Sequence, residues 1–304
     1  MISRRDVVRA SLLLTGEALI ARSGRLWAQK PDAVAAFEQR LKVIEAGTGG
    51  RLGVGFLDPA NGIRAGWKQD ERFPMCSTFK VLAVSALLSR ADRGEEHLDR
   101  LIRYGKADVV SYSPESSRHV DTGMTVSDIC RAAMTLSDNT AANLILASIG
   151  GPAGVTAFAR SLGDEVTRLD RTETSLNEAV PGDPRDTTAP GEMVSDLRKV
   201  VTGNVLSAAS RAQLVAWMEA NTTGKARIRA GLAASGRAGS WRIGDKTGTG
   251  DHATANDIAV LWPEGRSPVF LCVYLTEAQV KFPDQEAAIA AVAQAAAGLV
   301  QPGA

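Results

Sequence analysis

The chain contains 304 residues, of which 44% are apolar and 23% are charged. This composition is typical of a globular protein and excludes the collagen-like, coiled-coil, disordered and disulfide-scaffold classes. The 35 basic and 34 acidic side chains leave a net charge of +1, which excludes a strong electrostatic attraction to nucleic acid or to an anionic membrane. No apolar run after residue 30 reaches the length of about 18 residues that a transmembrane helix requires.

The first 28 residues have the layout of a secretory signal peptide. Arginines near the start are followed by an apolar stretch over 10–21 and then by small residues. The segment Ser-Arg-Arg-Asp at 3–6 is similar to the twin-arginine export signal of bacteria. Because Glu17 places a charge inside the apolar stretch, an amphipathic N-terminal helix is the alternative. We expect residues 1–28 to be removed and the mature protein to be exported to the periplasm.

A helix and a hairpin begin the mature chain. Apolar residues at helical spacing follow Pro31 and stop at the Gly-Gly pair at 49–50. Alternating apolar residues then predict a strand over 51–58 and a return strand over 63–67. The Asn-Gly pair at 61–62, which lies between the two strands, is a strong signal for a hairpin turn.

Helical patterns dominate the middle of the chain, and strand patterns return at its end. Apolar side chains at helical spacing predict helices over 77–90, 125–136, 140–149, 190–201 and 208–220. Segments rich in branched and aromatic residues predict strands over 241–249, 256–262 and 268–275, followed by a helix over 285–300. We therefore expect an α/β (α+β) protein whose terminal strands form one sheet flanked by helices, with the helical middle inserted as a second lobe.

These patterns divide the chain into three parts. We expect a signal peptide at 1–28, an α/β domain built from 29–68 and 220–304, and an all-helical domain over 69–219. The helical domain includes a loop over 168–188 that shows no regular period, and long loops of this kind are usually functional. A crevice between two lobes is a favoured ligand site.

The cysteines and histidines do not indicate a metal site. Cys76, Cys130 and Cys272 match no zinc-ligand spacing, and their odd number allows at most one disulfide. The histidines are scattered along the chain. We therefore expect neither a metal nor any other cofactor.

Three short motifs carry hydroxyl, amine and amide groups that suit catalysis. Ser77 and Lys80 lie at the start of a predicted helix, where a neutral lysine can accept the hydroxyl proton. Ser137 and Asn139 lie between two predicted helices, and Lys246 begins the sequence Lys-Thr-Gly-Thr in a predicted strand. Taken singly, each motif has a plain alternative: a chance match, a helix N-cap or a solvated strand face.

In this order and spacing, the three motifs are a signature of class A β-lactamases and penicillin-binding proteins. The chain resembles the class A serine β-lactamases, the penicillinase and cephalosporinase family, over roughly residues 32–300. The resemblance implies the serine β-lactamase/DD-peptidase-like fold, with an antiparallel sheet. It also implies hydrolysis of the lactam amide of β-lactam antibiotics through an acyl-serine intermediate, which gives antibiotic resistance.

The loop at 168–188 favours a β-lactamase over the alternative, a DD-peptidase or penicillin-binding protein. Arg171, Glu173 and Asn177 have the spacing found in the omega loop of class A enzymes. Hydrolysis of an acyl-serine requires a water molecule, a base and an orienting group, and the resemblance assigns the last two roles to Glu173 and Asn177. Arg171 and Asp186 match the positions that pair across the neck of this loop.

The resemblance also implies roles for the other motif residues. Ser77 is the nucleophile, and either Lys80 or Glu173 takes its proton. Ser137 protonates the leaving nitrogen, and Lys246 attracts the substrate carboxylate. Substrate binding falls to Asn139, Asn177, Thr247, Gly248, Thr249, Arg227 and Tyr112.

Arg227 stands where some carbapenem-hydrolysing relatives place an arginine that contacts the substrate carboxylate. Many class A enzymes place that arginine on the strand after Lys-Thr-Gly, but here the matching position is Ala255. The alternative for Arg227 is a solvent-facing side chain. For Tyr112, at the rim of the pocket, stacking on the substrate and simple packing both remain open.

A few positions point to the carbapenemase-like branch, namely Thr249, Arg227, Cys76 and Tyr112. The partner of Cys76 in the disulfide of those enzymes falls at Gly250, and the partner of Cys130 in another class A disulfide falls at Val84. We therefore expect three free thiols. The resemblance also implies that Asn143 braces the omega loop. We expect a monomer that acts on small β-lactam molecules, with no nucleic-acid partner and no membrane after signal removal.

Overall fold

The computed structural model describes residues 32–237 and 239–300. The expected signal peptide and Pro31 lie outside the described residues. The described chain begins in helix α1, with residues 32–48 helical, and the Gly-Gly pair follows directly. The expected helix is therefore present and ends where the sequence predicted.

Five strands from the two ends of the chain form one antiparallel sheet. The strands are β1 (Arg51–Asp58), β2 (Ile63–Trp67), β7 (Trp241–Gly250), β8 (Thr254–Pro263) and β9 (Val269–Thr276). Their order is β2-β1-β9-β8-β7, so the N-terminal hairpin joins the C-terminal strands through the β1–β9 pair, with Phe56 opposite Leu271. This arrangement confirms the fold expected from the sequence.

The helices and four short strands complete the described chain. The short strands are β3 (Phe73–Pro74), β4 (Leu101–Ile102), β5 (Met124–Thr125) and β6 (Thr187–Thr188). The helices after α1 are α2 (Lys80–Asp92), α3 (Val126–Thr135), α4 (Asn139–Ser148), α5 (Pro152–Ser161), α6 (Pro190–Thr202), α7 (Ala208–Glu219), α8 (Ile228–Ala234) and α9 (Phe282–Ala297). Within residues 32–237 and 239–300, no single helix is long and apolar enough to span a membrane; only α4 and α5 together, bent by 67°, pass that test.

The sequence patterns missed two helices and the four short strands. Helix α5 begins at a proline after two glycines, and α8 has only 7 residues, so neither gives a long apolar period. The segment predicted as one helix from Ser77 begins with a 3₁₀ turn, Cys76–Phe79, before α2. Helix α9 begins at Phe282, ahead of the predicted start.

The sheet is packed between two layers of helices. One face contacts α1, α8 and α9 through a cluster that includes Phe37, Val273 and Ile289. The other face packs against α6 and the central helices through residues that include Met193 and Tyr274. Burial of these apolar side chains is the main stabilising term of the fold.

A short two-stranded connection brings the omega loop beside the 3₁₀ turn. Strand β3, just before the turn, pairs with β6 at the end of the loop, with Phe73 opposite Thr188. The backbone N–H of Met75 donates to the carbonyl of Asp186 over 2.9 Å. The loop therefore starts and ends next to the residues that precede Ser77.

A buried pair of carboxyl groups lies where α6 meets the end of α5. Asp164 Oδ1 accepts the N–H groups of Val166 and Thr167 over 2.7 and 2.9 Å. Its other oxygen and both oxygens of Asp196 have no hydrogen-bond partner within the described residues, although Lys199 Nζ is 3.7 Å from Asp196. Because both carboxyl groups are buried and their charges repel each other, the protonated form of Asp196 is favoured.

Burial, followed by the charge of Asp164, raises the pKa of Asp196 to about 8. Lys199 opposes this shift, and Glu192 adds to it. An unfolded aspartate loses its proton near pH 3.9, so the folded state holds one more proton than the unfolded state between about pH 4 and pH 8. The stabilisation from this proton is present at low pH and is lost as the pH rises toward 8.

We predict that Asp196→Asn removes this contribution to the pH dependence. Between pH 5 and pH 8, this group lowers the unfolding free energy of the parent by up to about 1.4 kcal/mol for each pH unit. The variant lacks this loss, so the difference between variant and parent should grow by that amount per pH unit. Urea unfolding at several pH values measures this difference. The exposed Asp99→Asn is the control and should give a curve parallel to that of the parent. A parallel curve for Asp196→Asn as well would contradict the raised pKa of Asp196.

Candidate active site

The hydroxyl of Ser77 lies at the floor of a cleft, in the 3₁₀ turn that leads into α2. Ser77 Oγ donates to Glu173 Oε1 over 3.3 Å, and the same oxygen lies 3.0 Å from Lys80 Nζ. The side chains of Lys80 and Glu173 have no exposed surface. The 3₁₀ turn and the omega loop therefore bring a hydroxyl, an amine and a carboxylate into direct contact.

Lys80 makes polar contacts with three residues. Besides Glu173, its ammonium donates to the backbone carbonyl of Ser137 over 2.8 Å and to Asn139 Oδ1 over 2.7 Å. Ser137 Oγ is 3.4 Å away. Burial lowers the pKa of Lys80, and the carboxylate of Glu173 opposes this shift. Lys80 therefore gives up a proton more readily than an exposed lysine does.

A second buried lysine approaches Ser137 from the sheet. Lys246 Nζ donates to Ser137 Oγ over 2.9 Å and to the carbonyl of Thr247 over 2.8 Å. Burial holds the pKa of Lys246 well below its usual range, and repulsion from Lys80 adds to the effect. The hydroxyl of Ser137 therefore lies between two amines and can receive a proton from one side while it donates on the other.

The Ser-Asp-Asn turn serves the fold as well as the site. Asp138 caps α4 by accepting the N–H of Ala141 over 2.9 Å, as the helix-cap alternative proposed. Its other oxygen accepts the N–H of Ser116 over 2.9 Å. The helix-cap interpretation is therefore confirmed, and the capped turn also fixes Ser137 and Asn139 on either side of Asp138.

Asn143 and Asn177 hold Glu173 from two sides. The side chain of Asn143 exchanges two hydrogen bonds of 2.9 Å with the backbone of Glu173, as expected for a brace. Asn177 Nδ2 donates to Glu173 Oε2 over 2.6 Å. Asn177 Oδ1 is buried and has no hydrogen-bond partner within the described residues. The Glu173–Thr174 peptide bond is cis.

The neck of the omega loop is closed by the expected ion pair. Arg171 Nε donates to Asp186 Oδ2 over 2.6 Å. Asp186 Oδ1 accepts the backbone N–H groups of Asp170 and Arg171, and Arg171 also pairs with Glu178. The Asp186 side chain is only 1% exposed, so its charge depends on these partners.

Strand β7 lies at the edge of the sheet and forms one wall of the cleft. A Cβ atom on Gly248 would lie 2.7 Å from the carbonyl oxygen of Met75. A glycine at this position therefore lets the strand approach the turn that carries Ser77. Thr247 shares a hydrogen bond of 2.5 Å with Thr223, and Thr249 is exposed to the cleft.

Arg227 is buried behind Thr249, so the alternative of a solvent-facing side chain is wrong. Only 3% of Arg227 is exposed. Its guanidinium donates to Thr249 Oγ1 over 2.8 Å, to the carbonyls of Gly248 and Asn256, and to Glu286 over 3.2 Å. Arg227 therefore places a positive charge directly behind the hydroxyl of Thr249.

The cleft has a volume of about 600 Å³. Lys80, Glu173 and Lys246 lie buried beneath it and bond to residues that line it. The cleft is lined by Ser77, Tyr112, Ser137, Asn139, Asn177, Thr222, Thr223, Arg227, Thr247, Gly248, Thr249, Phe282 and Glu286. The structure thus brings together all the site residues predicted from the sequence.

Sequence reasoning gave no role to four residues that line the cleft. Thr222 and Thr223 lie near Arg227 in the sequence, so their proximity to it was a usable signal. Phe282 begins α9 and Glu286 lies four residues further along it, and no sequence motif marks them.

The three cysteines are buried free thiols, as expected. Cys76 Sγ would lie 2.7 Å from a Cβ atom on Gly250, which is consistent with the position of the missing partner. Burial raises the pKa of the Cys76 thiol. Within residues 32–237 and 239–300, no group of three or more His, Cys, Asp or Glu side chains has a metal-binding arrangement.

Comparisons with known proteins agree with this geometry. Residues 36–300 match the model of the β-lactamase enzyme family. The chain is 44% identical to β-lactamase CTX-M-8 of Citrobacter amalonaticus, over 96% of this chain and 97% of the relative. It is 46% identical to β-lactamase OXY-1 of Klebsiella oxytoca, over 91% and 92% of the two chains.

Solved structures show the same similarity. A class A β-lactamase from Rhodopseudomonas palustris has 58% identity and a TM-score of 0.84, covering 87% of this chain and all of that one. The class A β-lactamase of the last common ancestor of Gram-negative bacteria has 58% identity and a TM-score of 0.83, covering 86% of this chain and 97% of that one. The chain belongs to the class A serine β-lactamases.

Family membership confirms the function expected from the sequence. The β-lactamase hydrolyses the lactam amide of β-lactam antibiotics through an acyl-serine intermediate, which gives resistance. The comparisons give no support to the DD-peptidase alternative.

We predict that Arg171→Ala destabilises the β-lactamase by roughly 3 kcal/mol, because it leaves the buried charge of Asp186 without its ion-pair partner. Arg168→Ala is a matched control three residues earlier, since the Arg168 side chain is 41% exposed in its pair with Asp170. That variant should lose less than about 1 kcal/mol. Urea unfolding measures both values, and equal losses would show that the neck pair contributes no more than a surface pair.

Proposed function

We propose that Ser77 is the nucleophile and Glu173 the base for both steps of the reaction. The observation that carries this proposal is the position of Glu173, whose Oε1 contacts Ser77 Oγ and Lys80 Nζ while Oε2 contacts Asn177. One carboxylate therefore reaches both the attacking hydroxyl and the group that would orient a water molecule. The three-way contact meets the geometric requirement for a general base.

In acylation, Ser77 Oγ attacks the lactam carbonyl and its proton passes to Glu173. The lactam C–N bond breaks, and the nitrogen takes a proton from Ser137 Oγ. Ser137 is resupplied by Lys80, which lies 3.4 Å away, and Lys80 recovers a proton from Glu173 over 3.0 Å. Because burial lowers the pKa of Lys80, its donation to Ser137 is easier than from an exposed lysine.

In deacylation, a water molecule between Glu173 and Asn177 attacks the acyl carbonyl. Glu173 takes one proton from this water and passes it to Ser77 Oγ as the ester bond breaks. Within the described residues, Asn177 Oδ1 is buried without a hydrogen-bond donor. This supports a role for Asn177 in orienting the water molecule, because a water O–H can supply the donor that a buried amide oxygen needs. A carboxylate held in place by two asparagines is therefore ready to activate this water.

We propose that the developing oxyanion binds to the backbone N–H groups of Ser77 and Thr249. The close approach of Gly248 to Met75 supports this role, because it brings strand β7 against the 3₁₀ turn. Each donor of such an oxyanion hole contributes about 3 kcal/mol to lowering the barrier.

We propose that Lys246, Thr249 and Arg227 bind the substrate carboxylate. Lys246 belongs to strand β7 and donates to Ser137 Oγ, while Arg227 lies behind the strand and donates to Thr249 Oγ1. Thr247 and Gly248 line the same wall. Arg227 thus acts mainly through Thr249, which it orients and polarises.

The opposite wall suits the substrate side chain. We propose that Asn139 contacts the amide of that side chain, because it lines the cleft and its Oδ1 is already fixed by Lys80. Tyr112 is 61% exposed at the rim, which supports stacking on the substrate in preference to packing against the protein.

We propose that the chain is organised as an α/β domain of residues 29–68 and 220–304 around an all-helical domain of 69–219. The five-stranded sheet formed by both ends of the chain supports this division. We also propose that the mature enzyme is a monomer, because all the catalytic contacts lie within one chain.

We predict that Glu173→Ala turns over a chromogenic cephalosporin only once. The parent should give sustained hydrolysis, whereas the variant should release about one equivalent of product in a slow burst and then stop. Lys80, freed from Glu173, would still accept the proton of Ser77 in that variant. Glu178→Ala, on the same loop, is the control and should turn over steadily.

Intact-protein mass spectrometry after the burst should show the mass of the acyl adduct on the Glu173→Ala variant. Sustained turnover by this variant would rule out Glu173 as the deacylation base. A parent that also stops after one equivalent would instead indicate penicillin-binding behaviour.

We propose that the twin-arginine route exports the mature enzyme to the periplasm. We predict that replacing both Arg4 and Arg5 with lysine moves most of the β-lactamase activity from the periplasmic to the cytoplasmic fraction of a bacterial host. Arg22→Lys, the same substitution outside the pair, is the control and should leave the distribution unchanged. An unchanged distribution for the double variant would favour the general secretory route.

A further inference from the structure

An exposed aromatic ring in the cleft has no role in the proposed chemistry. Phe282 lines the cleft and is 44% exposed. Large apolar side chains with such exposure are uncommon in the described part of the chain: Val43, Leu101, Tyr112, Val180 and Phe282. Two of these five line the same cleft, and apolar surface in a concave polar site marks a ligand contact.

The local structure holds Phe282 beside the proposed carboxylate site. Phe282 begins α9, with a proline next to it in the first turn. The guanidinium carbon of Arg227 lies 5.5 Å from the centre of the Phe282 ring, within the range of a cation–π interaction. Arg227 in turn donates to Thr249 Oγ1 over 2.8 Å. Arg227 therefore contacts both the ring of Phe282 and the Thr249 hydroxyl that we propose binds the carboxylate.

Phe282 and Tyr112 belong to different walls of the cleft. The carbonyl of Tyr112 accepts the backbone N–H of Asn139 over 3.0 Å, which ties Tyr112 to the wall proposed to hold the substrate side chain. Phe282 is tied to the wall of Arg227 and Thr249. The two rings are thus placed to contact opposite ends of a bound molecule.

The chemistry of β-lactams determines which group meets Phe282. In penicillins, cephalosporins and carbapenems, the ring carbon that bears the carboxylate is bonded to the carbon that carries a further substituent. A carboxylate at Lys246 and Thr249, with the lactam carbonyl at Ser77, places that neighbouring substituent at the end of the cleft where Phe282 lies. An apolar ring there stabilises a large apolar substituent more than a methyl group or a hydrogen, because the stabilisation scales with the apolar area buried.

We infer that Phe282 is a specificity-determining residue that contacts the substituent on the ring carbon next to the carboxylate-bearing carbon, and that it favours β-lactams in which this substituent is large and apolar. This inference rests on the proposed binding of the carboxylate by Lys246, Thr249 and Arg227. Phe282 would then be a second recognition element at that end of the cleft, and it would discriminate between substituents by their size and polarity.

The test uses two cephalosporins with the same acyl side chain, one with a methyl and one with a styryl group at this carbon. Neither group leaves during hydrolysis, so the chemistry is matched. The measured quantity is the ratio of kcat/KM for the styryl compound to kcat/KM for the methyl compound. This ratio does not depend on the fraction of folded enzyme, so a partly unfolded variant still gives a valid result.

We predict that Phe282→Ala lowers this ratio about tenfold, as expected for the loss of one apolar contact in a binding pocket. Phe282→Leu, which keeps an apolar side chain, should recover part of the loss. Leu101→Ala is the matched control, because Leu101 is 46% exposed outside the cleft, and it should leave the ratio unchanged. A ratio in Phe282→Ala equal to that of the parent would overturn the inference.

Arg227→Ala separates this inference from the carboxylate proposal. Loss of the carboxylate contact should lower kcat/KM about equally for both compounds, since both carry the carboxylate. If Arg227→Ala lowers both values and Phe282→Ala leaves the ratio unchanged, the carboxylate proposal stands and the inference about Phe282 is overturned. If Arg227→Ala changes neither value, the role of Arg227 in carboxylate binding fails, whatever the Phe282 ratio shows.

Discussion

The buried contact between Lys80 and Glu173 is the interaction on which the rest of the site depends. Two opposite charges lie 3.0 Å apart with no exposed surface on either side chain. Removing each charge from water costs several kcal/mol, and the pair is tolerable only because its geometry and its added hydrogen bonds are favourable. Ser77, Ser137 and both asparagines, Asn139 and Asn177, supply those bonds. The same bonds connect the groups through which we propose that the protons pass, so the groups that make the charges tolerable are also the groups proposed to react.

Lys80 and Glu173 come from separate parts of the chain. Lys80 begins α2, directly after the 3₁₀ turn, and Glu173 comes from a loop without regular structure. Three features hold that loop: the β3–β6 pairing, the Arg171–Asp186 ion pair and the two hydrogen bonds from Asn143. A loop held at its neck and at its tip loses less entropy when substrate binds than a free loop would. The rigidity of the omega loop therefore supports the role that we propose for Glu173 in deacylation.

The wall of the cleft formed by strand β7 contains positive charges that are buried. Lys246 and Arg227 are almost fully buried, and their positive charges reach the cleft through the hydroxyls of Ser137 and Thr249. Fixed donors of this kind need little reorganisation when an anionic substrate arrives. The start of α9 lines the same end of the cleft with an aromatic and an acidic side chain, Phe282 and Glu286. Charged and apolar side chains thus lie together at the end of the cleft that we propose contacts the carboxylate and the variable ring substituent of a β-lactam.

The sequence by itself determined the family, the elements of the sheet and the residues of the three motifs, because residue spacing and apolar period are local properties of the chain. It also indicated Glu173 and Asn177, since the omega loop has its own pattern. The tertiary structure alone decided that Arg227 is buried behind Thr249, that the carboxyl groups of Asp164 and Asp196 are buried within reach of each other's charge, and that Phe282 faces the cleft. It also revealed α5 and α8, which are too short or too interrupted to give a clear period. These features depend on contacts between residues far apart in the chain and on the loss of water around them, and neither can be read from local spacing.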